Sequence, residues 1–201
     1  MMFSLFTASF DLMGSFVFAL SGALVGVRRK MDIFGVLVLA IVTAFGGGSL
    51  RSILMGDLPI PFLKDIRYII ACIIATVIVF VFREQFKKLK KPIAFFDALG
   101  LGFFLSLGMT ISLQHGFSWW ASVILGTITA SFGGVIRDIF SAQIPLIFQK
   151  EAYASICIMG GLFYLLLQSL SISGELVNIA TMLFVFVLRV AAIKYHWSLP
   201  K

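Results

Sequence analysis

The sequence predicts an all-α integral membrane protein: seven transmembrane helices forming two inverted three-helix repeats plus a seventh helix, with the second and fifth helices broken at glycines. Three observations predict it. Of 201 residues, 60% are hydrophobic and only 12% charged, far more apolar side chain than one soluble core uses. Apolar stretches of roughly 20 residues recur, long enough to cross a hydrocarbon layer of about 30 Å. The chain also matches itself when slid by 86 residues, the spacing from Asp11 to Asp97.

The first span, Phe3–Val27, has no basic run before it and carries Asp11, so it reads as a retained helix rather than a cleaved signal peptide. Ile33–Gly56, Ile66–Phe82, Ile93–Leu113, Trp119–Ala142, Ala152–Leu170 and Leu176–Ile193 follow. Their connections are short and the mean hydropathy is +1.07, so residues 1–201 read as a single membrane domain. Repeat one covers 1–86, repeat two 87–172 and the seventh helix 173–201. Leu58-Pro-Ile-Pro-Phe62 and Ile144-Pro-Leu-Ile-Phe148 end the second and fifth spans, because proline cannot continue a helix. Phe62 and Phe148 are expected as interfacial anchors, and Lys64 and Lys150 as contacts to lipid phosphates.

Charge sets the expected orientation. Seven spans place the termini on opposite sides. One side collects Arg28-Arg29-Lys30, Arg83, Lys87, Lys88, Lys90, Lys91, Lys150, Lys194 and Lys201, and the other only Lys64 and Arg67. The positive-inside rule then puts the N-terminus out and the C-terminus in. The net charge of +7 is thereby a matter of topology, and its spread along loops argues against nucleic-acid binding. Cys72 and Cys157 lie in apolar spans with no ligand-spaced neighbour, which predicts buried small side chains, no disulfide and no metal site.

The self-match carries polar identities that apolar composition cannot supply. Asp11 meets Asp97, Gly14 meets Gly100, Thr43 meets Thr129, Gly47-Gly48 meets Gly133-Gly134, Arg51 meets Arg137 and Pro59 meets Pro145. Each unit has three spans, an odd number, so the second enters from the opposite face. Inverted repeats of this kind hold their working site near the midplane where the units meet.

The glycines Gly46, Gly47, Gly48, Gly133 and Gly134 fall near mid-span. Each glycine costs about 1 kcal/mol relative to alanine in a helix interior, and their recurrence beside an arginine predicts a break lining a pathway. Close helix packing is the competing reading. Thr43, Ser49 and Thr129 are candidate pore hydroxyls, although such side chains commonly bond to their own helix.

Five charged residues within spans carry the site prediction: Asp11, Arg51, Asp97, Arg137 and Asp138. Charges at such depth face the bundle interior or water. Equal depth along neighbouring helices pairs Asp11 with Arg51 and Asp97 with Arg137. Two readings stay open, ion pairs that fix the helix arrangement and gates or fixed charges that select what permeates. Asp138 stands opposite Ser52 in the other unit, which makes it the candidate for attracting a cation or carrying a proton, unless it shares Arg137.

Gly46-Gly-Gly-Ser-Leu-Arg51 and Gly133-Gly-Val-Ile-Arg137-Asp138, set in two three-helix units plus a seventh helix, resemble the prokaryotic trimeric intracellular cation channel family, whose bacterial relatives are also described as glycine transporters. The resemblance implies a homotrimer in the bacterial or archaeal inner membrane, each subunit with its own pore passing K⁺ or Na⁺. Related sequences usually carry Asp where this chain has Ser52. No cofactor is implied. The competing function is secondary transport of a small zwitterion such as glycine. Only His115 and His196 are present, with no nucleophile–base or metal-ligand set, so no catalytic residue is expected.

Overall fold

A computed structural model describes residues 5–89, 91–149, 153–195 and 197. Lys90, Lys150, His196 and Lys201, which entered the arguments above, lie outside the described residues. Among the described residues every regular element is helical: α1 (Leu5–Arg28), α2 (Ile33–Met55), α3 (Ile66–Val81), α4 (Arg83–Lys88), α5 (Pro92–Gln114), α6 (Trp119–Phe140), α7 (Leu146–Gln149), α8 (Ala154–Ser169) and α9 (Gly174–Tyr195), with one 3-10 turn at Pro61–Leu63. Helices α1, α2, α5, α6 and α9 are long and apolar enough to cross a bilayer. Helices α3 and α8 are apolar but have 16 residues each, which gives about 24 Å of helix against a hydrocarbon layer of about 30 Å. The short α4 and α7 were not anticipated.

Local chemistry explains the boundaries. The Asp32 carboxylate accepts the Gly35 N–H at 2.7 Å and caps α2, and Asp65 accepts the Arg67 N–H at 2.9 Å to cap α3. Hydrogen bonds from Arg67 also hold the Asp65 carboxyl below its ordinary range. Proline at the first turn opens α5, where its missing N–H costs nothing.

The corners recur in the two units. After α2, Gly56 takes φ 70° and Asp57 N–H bonds to Ser52 O at 2.9 Å; after α6, Ala142 takes φ 52° and Gln143 N–H bonds to Asp138 O at 2.8 Å. The corners after α1 and α5 behave alike, with Lys30 and Gly116 at positive φ and matching bonds from Met31 N–H to Gly26 O and from Phe117 N–H to Ser112 O, both 3.1 Å. Both are helix C-terminal caps built on one left-handed residue.

Helix α1 packs on α2, α3 and α5; α2 packs on α6; α5 packs on α6 and α9; and α8 packs on α6 and α9. The centre of the bundle is reciprocal. The Phe18 and Phe104 rings, which the 86-residue offset makes equivalent, lie 5.0 Å apart between α1 and α5. A Cβ added at Gly47 would run into the Thr129 carbonyl, and one added at Gly133 into the Thr43 carbonyl.

These contacts correct the expected helix breaks. Helix α2 is continuous from Ile33 to Met55 and α6 from Trp119 to Phe140, straight through the glycines. Intrinsic propensity alone favoured an interruption. Tertiary packing outweighs it, because lipid-embedded helices associate through close backbone approach at small residues. The two threonines behave accordingly: Thr43 Oγ1 donates to Leu39 O at 2.5 Å and Thr129 Oγ1 to Leu125 O at 2.6 Å, each within its own helix. Phe62 is partly buried against the bundle. It stacks on Phe45 with centroids 4.5 Å apart, whereas Phe148 is exposed.

Candidate functional site: two buried charge clusters

Both clusters are built from equivalent positions, the aspartate of each unit's first helix and the arginine near the end of its second. In unit two, Asp97 from α5 and Arg137 from α6 are each 1% exposed and form an ion pair at 2.7 Å through Arg137 Nη1, as the depth argument predicted. The same Nη1 donates to Ser21 Oγ of α1 at 2.7 Å, and Nε donates to Asp138 Oδ1 at 2.9 Å. The other Asp138 oxygen accepts the Leu146 N–H at 3.0 Å, which ties α7 to α6. Asp138 is therefore a partner of Arg137 and not a free carboxylate. Opposite charges at these distances with few missing hydrogen bonds are the arrangement that makes a buried ion pair tolerable.

Unit one is assembled differently. Asp11 and Arg51 line one cavity of about 20 Å³, together with Ser15, Gly48, Ser49 and Tyr68. That exceeds the roughly 10–15 Å³ needed for one water. The predicted Asp11–Arg51 ion pair does not form directly: Asp11 Oδ2 instead accepts from Tyr68 OH at 2.8 Å. Arg51, only 2% exposed, leaves Nε and Nη1 without hydrogen-bond partners. The repeat explains both orphans. The position of Asp138, which accepts from Arg137 Nε, holds Ser52 in unit one, and the position of Ser21, which accepts from Arg137 Nη1, holds Leu107 in unit two's first helix.

The glycines divide by role. Gly47 and Gly133 make the helix crossing, whereas Gly48 and Gly134 face the clusters. A Cβ at Gly48 would meet nothing within 4 Å, and one at Gly134 would lie 3.3 Å from Asp97 Oδ1 and from Tyr153 OH. Gly46 packs against Ile136, and Ser49 lines the unit-one cavity.

Tyr68, Tyr153, Ser21 and Arg189 belong to these clusters and were missed. The tyrosines were legible: the offset shortens by one residue before the third helix, so that Tyr68 matches Tyr153 and Cys72 matches Cys157 at a spacing of 85 (68 to 153, 72 to 157). Arg189 lies on α9, outside the repeat, with its guanidinium carbon 4.5 Å above the Tyr153 ring, a cation–π contact. It brings a second cation to the side that holds two carboxylates. The unit-one cavity is lined by one carboxylate, Asp11, and one guanidinium, Arg51, with Ser52 at the position of Asp138.

The fold and these clusters define an all-helical membrane protein with a doubled module and ionisable groups buried between its helices. The glycine transporter family model matches residues 8–84 and again 94–169. The two matches start 86 residues apart (8 to 94) and end 85 apart (84 to 169), the same one-residue slip. UPF0126 inner membrane protein YadS of Escherichia coli is 34% identical over 192 residues, covering 94% of this chain and 93% of its own. A structure solved to explain conductance through TRIC cation channels is 38% identical with a TM-score of 0.85, covering 96% of each chain. The TRIC trimeric intracellular cation channel orthologue from Rhodobacter sphaeroides is 30% identical with a TM-score of 0.89, covering 95% of this chain and 98% of its own. The chain belongs to the prokaryotic trimeric intracellular cation channel family, which the glycine transporter model describes.

Proposed function

We propose that this protein is a channel for monovalent cations, K⁺ foremost, working as a homotrimer with a pore through each subunit. In this reading the seven apolar helices all lie in the membrane, α3 and α8 included, the two units have opposite orientations, and the N-terminus is outside. The basic residues of Arg28-Arg29-Lys30, Lys87, Lys88 and Lys194 then face the cytoplasm. The observation that carries the reading is the burial of carboxylates within the bundle, Asp11 in one unit and Asp97 with Asp138 in the other, each cluster beside an arginine. Carboxylates in a low-dielectric interior attract cations, and the arginines beside them set how much of that attraction is free. The reciprocal Phe18–Phe104 and glycine–threonine contacts support opposed units.

The unit-two cluster, closed by hydrogen bonds, serves in this reading as the shut part of the path, and the unit-one cavity as its open part. Purified protein in planar bilayers should give unitary K⁺ currents with no amino acid present. Its mass in detergent should be that of three chains. Saturable glycine uptake into liposomes without unitary currents would replace the channel by a transporter.

One observation favours that second reading. Arg51 presents two unpartnered donors beside the Asp11 carboxylate, which suits the opposite charges of a zwitterion. Tyr68→Phe probes the same cavity under either reading. Losing the hydroxyl frees Asp11 at a folding cost of about 1.5–3 kcal/mol for a bond to a charged group, and is expected to change K⁺ current or glycine uptake several-fold. Unchanged transport in folded Tyr68→Phe would remove the cavity from the pathway.

A further inference from the structure

We propose that His115 and Asp57 form a proton-operated latch between the two units, at the end of the bundle where α2 and α5 finish. His115 caps α5 in unit two, and Asp57 follows the C-terminal corner of α2 in unit one. His115 Nε2 lies 3.9 Å from Asp57 Oδ2, with the side chains 35% and 30% exposed, so water delivers protons to the pair.

The other ring nitrogen fixes the chemistry. His115 Nδ1 is 2.8 Å from the Ile111 carbonyl oxygen, which only accepts, so the neutral ring keeps its proton on Nδ1. Its Nε2 then presents a lone pair to a carboxylate, and two acceptors do not bond. A proton on Nε2 converts the same approach into a charge-assisted hydrogen bond, whose ordinary length is about 2.7–2.9 Å. Closing the gap by about 1 Å draws the ends of α2 and α5 together. Histidine is the side chain that makes this change between about pH 5 and 8.

The repeat shows that the pair is particular to one end. The equivalent positions in the other corners, 86 residues away, hold Arg29 in place of His115 and Gln143 in place of Asp57. The backbone corners match, as the paired positive-φ residues and capping bonds show, but that combination has no group that titrates near neutrality. The charged group that Asp57 also attracts is Arg51 of α2, which shares its cavity with Asp11 of α1 and Tyr68 of α3; Asp65 and Arg67, where α3 begins, pair with each other. Asp57 is thus shared between His115 at the surface and Arg51 at the cavity. Engaging it with protonated His115 weakens its pull on Arg51.

The test needs no assumption about the solute that crosses. Thermal unfolding of the purified full chain in detergent, followed at about pH 5.5 and 8 for the wild type, His115→Gln, Asp57→Asn and the double variant, gives the coupling between the two side chains. A coupling of about two- to five-fold in the unfolding equilibrium is expected at the lower pH, the range for a half-exposed ion pair, and none at the higher. His115→Arg should hold the latch closed at both. In vesicles, acidifying only the Asp57 side should slow K⁺ flux or glycine uptake by a similar factor in the wild type and leave His115→Gln unchanged. Equal pH responses in the wild type and His115→Gln, or no pH-dependent coupling in the cycle, would overturn the latch whether or not the protein conducts cations.

Discussion

Arg137→Ala is expected to destabilise the protein by about 3–5 kcal/mol, because it strands two carboxylates that were neutralised inside the bundle. Asp97 loses its 2.7 Å ion pair, and Asp138 loses the guanidinium contacts at 2.9 Å. The damage spreads through the fold, since Arg137 also joins α6 to Ser21 of α1 and Asp138 holds the start of α7. Arg51→Ala is expected to cost only about 1–2 kcal/mol: Asp11 keeps its bond from Tyr68, and the buried donors Nε and Nη1, already unsatisfied, disappear. Unfolding in detergent by denaturant measures both. Equal losses for the two variants would mean that the repeat's symmetry governs the energetics and that the contrast between the clusters does not. The same pair separates structure from transport. Arg51→Ala should fold and show altered current or uptake, because its side chain lines the cavity.

The pairing of Asp97 with Arg137 was legible in the sequence for a simple physical reason. Helices joined by short corners rise at about 1.5 Å per residue, so counting residues from a common membrane face fixes relative depth. Depth alone does not fix partners. Asp11 and Arg51 do share a cavity, but Tyr68 takes the carboxylate, and an ungapped offset hides the tyrosine behind a one-residue slip. Asp138, set against Ser52 along the repeat, left two readings open, a free carboxylate or a share in Arg137; the structure selects the second and adds a backbone N–H of α7. Arg189 was plain as an arginine in an apolar helix, but α9 lies outside the repeat, so no equivalent position marks it. The glycine breaks failed for the opposite reason. Helix propensity is local, and the contact that decides the matter joins Gly47 to Thr129 and Gly133 to Thr43 across two units, so nothing within either segment distinguishes a break from a crossing.

That distinction gives neighbouring glycines opposite expected phenotypes. In Gly47→Ala the new methyl meets a backbone carbonyl that no rotamer change can move, so the α2–α6 crossing must widen. Overpacking of this kind costs about 1–3 kcal/mol, and the reciprocal Gly133→Ala should cost as much, with little surviving if both are changed. Gly48→Ala meets nothing within 4 Å and replaces a poor helix former with the best, a gain of up to about 1 kcal/mol. Its methyl, however, enters a cavity of about 20 Å³ between Asp11, Arg51 and Tyr68. Folded Gly48→Ala is therefore expected to be at least as stable as the wild type and to lose most of its K⁺ current or glycine uptake. Melting temperature and transport measured on the same preparations decide the matter. If Gly48→Ala transports normally, the unit-one cavity is not on the path. If Gly47→Ala melts with the wild type, the crossing is looser than the reciprocal carbonyl contacts require.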